Sequence, residues 1–103
     1  MKYGLYRTDH FTRKITDLML YIAEDSGFAD RALHCIDRIE EAVECLAEFP
    51  DSGALPRFES IRRKGYRVLI VERYLIFYRV DAKRRIIYLE DIFDERQSYR
   101  SLL

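Results

Sequence analysis

Only two cysteines occur in this chain, Cys35 and Cys45, and no apolar run approaches a membrane span or the core of a signal peptide. There is no repeat, no low-complexity tract and no net charge. Each shortage excludes something. The cysteines fall ten residues apart in one predicted helix, about 15 Å along its axis and beyond disulfide reach of each other. With His34 they fit no common zinc spacing, so neither a disulfide scaffold nor a metal is expected, and the pair reads as two small buried thiols facing the core. Without a long apolar run, a soluble, cytoplasmic protein with no membrane partner is expected. A length of 103 residues, 49% of them hydrophobic, suits one compact core and is too short for two, so residues 1–103 read as a single domain.

The zero net charge conceals a polarity. Residues 1–50 carry six Lys or Arg against ten Asp or Glu, a net of −4, while residues 51–103 carry twelve against eight, a net of +4. Acidic solvent faces on the helices explain this, and so does a basic sheet surface meant for an anionic partner.

What the chain has in quantity is β-forming sequence near its end. Tyr66 to Val71, Tyr74 to Asp81 and Ile86 to Phe93 are rich in Val, Ile, Leu, Tyr and Phe and are separated by short charged breaks, which predicts a three-stranded antiparallel meander. Side chains alternate along a strand, so Tyr74, Ile76, Tyr78 and Val80 share one face while Leu75, Phe77, Arg79 and Asp81 share the other. Both faces are partly apolar, and the middle run is expected at the centre of the sheet. One face needs a cover.

The first half supplies it. Lys2 to Thr8 is a short strand candidate, and Thr8 or Asp9 caps a helix running to about Asp25 with Phe11, Ile15, Leu18, Met19 and Ile22 along one stripe. Gly27 suits the left-handed residue that ends a helix. A second helix, roughly Phe28 to Phe49, repeats Ala29, Ala32, Ile36, Ile39, Val43 and Leu46 on one side. So short a link folds the two helices into an antiparallel hairpin, and PDSGALPRFES (residues 50–60) reads as the loop back to the sheet.

The order strand, α-hairpin, then three or four antiparallel strands is an α+β architecture. Together with LAEFPDSG, GYRVLIV, YLIFYRVD and DIFDERQSY it resembles the RelE/ParE superfamily, the toxins of bacterial type II toxin–antitoxin pairs, over nearly the whole chain. The resemblance implies a growth-arresting toxin neutralised by a cognate antitoxin, with which it forms a hetero-oligomer, and it implies no cofactor.

Two activities exist in that superfamily. RelE-like members cleave messenger RNA on the ribosome, whereas ParE-like members inhibit DNA gyrase. Cleavage through a 2′-hydroxyl needs a base, a cation for the phosphorane charge and an acid for the leaving oxygen. By resemblance Arg67, Arg79, Arg96 and Tyr99 are the candidate catalytic set if the chain is a nuclease, with Arg67 at the place of a strand lysine. Leu69 and Leu75 stand where such nucleases carry a second lysine and an arginine, and Asp94 where some carry a histidine. Both histidines, His10 and His34, lie in the helical half, which places a histidine base outside the sheet. An apolar residue at Leu75 and the long hairpin are ParE-like, so gyrase inhibition without enzymatic chemistry is favoured over ribosome-dependent cleavage.

Arg62, Arg63 and Lys64, opening the sheet, join Arg67 and Arg96 as candidates for contact with the target or antitoxin. Plainer readings stand beside these. Arg67 and Arg79 also suit cross-strand partners of Asp or Glu, Lys83–Arg84–Arg85 suits a solvated turn, and Tyr66, Tyr74, Tyr78 and Tyr88 suit packing, although a tyrosine beside an arginine can stack a base. A non-toxic module whose sheet docks another protein is the reading from a different class.

Overall fold

The computed structural model describes residues 2–97. Its elements are β1 (Gly4–Arg7), α1 (Asp9–Ser26), α2 (Ala29–Glu48), a short α3 (Glu59–Arg62), β2 (Arg67–Val71), β3 (Tyr74–Asp81) and β4 (Ile86–Asp94). The sheet order is β1-β4-β3-β2.

Local chemistry sets the helix ends. Thr8 is extended, and its hydroxyl accepts the Phe11 N–H at 3.1 Å, a side-chain cap on α1. Gly27 stops that helix at φ 75°, the left-handed region a β-carbon disfavours. α2 then packs against α1. Its stripe Ile39, Val43 and Leu46 is buried to 1% exposure or less, and each such side chain contributes about 2 kcal/mol.

This hairpin covers one face of the sheet. Phe11, Ile39, Val43 and Leu46 meet Tyr74, Ile76 and Tyr78 of β3 and Ile87, Leu89 and Ile92 of β4 in one cluster. Phe77, Phe93 and Val68 point the other way and pack under Ile61 of α3. The alternation read along β3 is therefore realised, and β3 lies inside the sheet between β4 and β2. The register between β3 and β4 shifts at Phe77/Tyr78, where Tyr78 faces Leu89 and Phe77 faces Asp91. Glu90 is thus the extra residue of a bulge.

β1, whose pairing the sequence left open, pairs with β4 in parallel, Gly4 with Ile86 through Arg7 with Leu89, so the four-stranded sheet is mixed, and β2-β3-β4 form the expected antiparallel meander. The helices, loop and meander between β1 and β4 provide the long crossover that parallel pairing requires. Three expectations need correction. The return loop ends in α3, a single turn too short to show a helical period, and this draws Arg62 into a helix and Arg63 and Lys64 into the turn after it. Tyr66 lies outside β2. Cys45 is exposed and Cys35 half-buried, because Cys45 sits about 100° around the helix from Leu46, away from the core stripe.

The loop after α2 is pinned from inside. Tyr78 donates its hydroxyl to the Pro50 carbonyl at 2.8 Å and accepts the Gly53 N–H at 3.0 Å. A β-carbon at Gly53 would collide with that hydroxyl and come within 2.7 Å of the Val68 carbonyl oxygen, so only glycine fits.

Candidate functional site

Arg67 and Arg79, two members of the candidate catalytic set, lie on opposite faces of the sheet. Arg67 is the cross-strand partner of Tyr78 and shares its face, the one turned toward the hairpin side. Its Nη2 donates to the carbonyls of Asp51 at 3.0 Å and Gly53 at 2.7 Å, and its Nε is buried without a partner among the described residues. The guanidinium is thereby committed to holding the 50–53 loop. Arg79 follows Tyr78 along β3 and so occupies the opposite face. It pairs with Glu90 at 3.2 Å and lies over the Tyr66 ring at 5.9 Å. Tyr99 lies outside the described residues.

Arg96 stands beyond the end of β4, where it and Arg73 bracket Asp94 at 3.2 and 3.1 Å. Its hydrogen bond to Asp94, with help from its own backbone N–H and the nearby Arg73, holds that carboxyl below the usual value against the opposing effect of burial. Arg96 borders two depressions. One, of about 570 Å³, is walled by Leu18, Tyr21, Tyr74 and Phe93 between α1 and the end of β4. The other, of about 670 Å³, lies beside Leu55, Arg57, Ile70 and Leu75. Arg62 donates to the carbonyls of Pro56 and Arg57 at 2.8 and 3.2 Å, Arg63 pairs with Glu59 at 3.0 Å, and Lys64 is exposed. Arg62 therefore braces its own loop, while Arg63 remains at the surface.

The sheet face away from the hairpin holds a constellation that reading the sequence alone did not assemble. β1 covers only the first half of β4 and ends at Arg7, so the first turns of α1 lie beside the second half of that strand. His10 Nε2 there lies 2.9 Å from Asp91 Oδ2, and Lys14 Nζ lies 2.7 Å from Asp91 Oδ1 and 3.7 Å above the Phe93 ring. Asp91 is the one charged side chain among the buried described residues, and its Oδ1 also accepts the Ile92 N–H at 2.8 Å. A histidine absent from the strands is thus brought to the sheet by a helix. The signal was present: His10 and Lys14 are spaced to share a helix side, and Glu90–Asp91 interrupts an apolar strand. Among the described residues no group of three His, Cys, Asp or Glu gathers to hold a metal.

Residues 5–99 match the family model described as ParE toxin of type II toxin–antitoxin system, parDE. The chain belongs to this family. Solved structures agree on the ParE-family fold. The chain is similar to one from the chromosomal ParDE toxin–antitoxin system of P. aeruginosa, at 21% identity and TM-score 0.73, over 90% of this chain and 96% of that one. It is also similar to one from the RelBE2 toxin–antitoxin complex of Mycobacterium tuberculosis, at 18% identity and TM-score 0.62, over 91% and 99%. None of the curated proteins matches. The chain is thus a toxin of the type II toxin–antitoxin class, and none of its described helices is long and apolar enough to cross a membrane.

Proposed function

We propose that this toxin arrests growth by inhibiting DNA gyrase, and that a cognate antitoxin binds and neutralises it. Gyrase lies in the cytoplasm, and the proposal places the toxin there. The two solved structures named above come from toxin–antitoxin systems, which supports the antitoxin as partner. The observation that favours gyrase is the separation of Arg67 from Arg79: the first is spent on loop carbonyls, the second lies on the other face of the sheet. Leu69 and Leu75 occupy two further positions where a nuclease of this superfamily places cations. Loss of one preorganised charge typically costs on the order of 100-fold in rate, so a set missing several supports little cleavage. Inhibition by docking requires only a surface, and the exposed Arg96, with Arg63 and Lys64, supplies cations for it.

One observation favours the ribosome-dependent nuclease as a second reading. His10, oriented by the buried Asp91, has the arrangement of a general base and its positioning carboxylate. Primer extension on messages from briefly induced cells separates the two readings. Messages with intact ends are expected, whereas codon-phased cuts that disappear in His10→Ala or Arg67→Ala would establish the nuclease.

A further inference from the structure

One row of side chains crosses β1, β4 and β3 on the open face and ends at Tyr66, just before the start of β2. Tyr6 of β1 is in register with Tyr88 of β4, and Tyr88 with Arg79 of β3. Arg79 in turn lies over Tyr66, the residue preceding β2. Directly opposed residues share a face and neighbouring strands lie about 4.8 Å apart, so the row is about 14 Å long. Tyr6 is 55% exposed, Tyr66 and Tyr88 are half-buried, and Tyr6 meets Tyr88 edge-to-face at 5.7 Å. Beyond it lies a shallow groove of about 380 Å³ bounded by Arg79, Asp81, Lys83 and Tyr88.

The charges on this face are arranged unequally. Each carboxylate is already engaged: Glu90 by Arg79, Asp91 by His10 and Lys14, and Asp81, the most exposed of the three at 32%, by the turn N–H groups of Lys83 and Arg84. The cations stand further out, Arg79 at 48% side-chain exposure against 17% for its partner Glu90. An approaching ligand therefore meets tyrosine rings and positive charge.

We propose that this face binds single-stranded DNA, with bases stacking on Tyr88 and Tyr6 and phosphates meeting Arg79 and Lys83. Aromatic residues on a four-stranded sheet can stack two or three bases, and a cationic groove beside them follows the backbone. A duplex keeps its base faces covered, so it offers the tyrosines nothing. The choice of DNA rests on the gyrase reading, since gyrase is an enzyme that holds DNA.

Fluorescence anisotropy with short labelled oligonucleotides tests this on the purified toxin, in three arms: single-stranded DNA, single-stranded RNA of the same sequence and the corresponding duplex. Single-stranded DNA is expected to bind about tenfold or more tighter than duplex. Tyr88→Ala and Tyr6→Ala should each weaken it about tenfold, with Tyr88→Phe retaining affinity. Arg79→Gln should reduce the slope of log affinity against log salt by about one. Thermal melts of the variants separate unfolding from lost contact, and exposed Tyr6 gives a variant expected to fold normally. Absence of single-strand binding, equal affinity for duplex, or unchanged affinity in folded Tyr6→Ala and Tyr88→Ala variants would overturn the proposal. RNA bound tenfold more tightly than DNA would overturn the commitment to DNA. The assay contains no gyrase, so lost DNA binding with supercoiling still inhibited sinks the face alone, and the reverse result sinks the gyrase reading alone.

Discussion

His10 on the first turn of α1 and Asp91 on β4 meet at 2.9 Å although 81 residues separate them. The contact exists because β1 runs parallel to β4 and stops at Arg7, delivering the helix start to the uncovered part of the strand. Lys14, one turn further on, closes on the other carboxylate oxygen. The N-terminal strand, the hairpin and the last strand are thereby locked at one corner of the sheet.

Asp91→Ala should destabilise the fold by about 2 kcal/mol, since the partly buried Lys14 ammonium loses its counter-charge and the Ile92 N–H its acceptor. Chemical denaturation would show a lower midpoint with an unchanged slope. A midpoint equal to that of the parent would remove this corner from the list of structural anchors.

Tyr78→Phe deletes the hydroxyl that satisfies Pro50 and Gly53 and should cost about 1–2 kcal/mol. Gly53→Ala forces a methyl against the same hydroxyl and the Val68 carbonyl, an overpacking that costs about 1–3 kcal/mol. Thermal melts of both variants check this. The two losses should fall well short of additive, because both substitutions disturb one contact.

Asp94 gives the acid limb of stability a recognisable shape. Its carboxyl is held below the ordinary value chiefly by the Arg96 hydrogen bond, so its stabilising contribution is present above the unfolded-state value, about 3.9, and is lost as pH falls through the lower folded-state value. Asp94→Asn should therefore flatten the stability profile below about pH 4 while changing it little in shape near neutrality. Melting temperatures of the two proteins across an acid series would show the difference.

Neither cysteine should contribute to toxicity. Burial, with the negative charge of Glu72, raises the Cys35 thiol above its usual value and disfavours the reactive thiolate, and Cys45 is an exposed position outside the core stripe. A Cys35→Ala, Cys45→Ser double variant should arrest growth as the parent does. Its failure to do so while folded would assign a thiol to function.

The parts legible in the sequence are those written in periodicity. β3 runs from Tyr74 to Asp81 as its alternation indicates, and the stripes of both helices face the sheet. Strand direction is not written that way, because a period of two is the same in parallel and antiparallel pairing; the β1–β4 pairing was therefore out of reach, and with it the meeting of His10 and Asp91. Arg67 could be placed on its strand, but not bound to the Asp51 and Gly53 carbonyls, since that capture depends on where a loop closes in space. The α3 turn carried no signal stronger than its neighbouring Pro56 and charges.

Gyrase supercoiling in the presence of the purified toxin is the most direct measurement. Relaxed plasmid, gyrase and ATP are combined with rising toxin, with and without the antitoxin. Supercoiling should fall as toxin is added and return when antitoxin is present. Supercoiling that proceeds at full rate at every toxin concentration, while the same preparation cuts messages on ribosomes and loses that cutting in His10→Ala or Arg96→Ala, would contradict gyrase as the target.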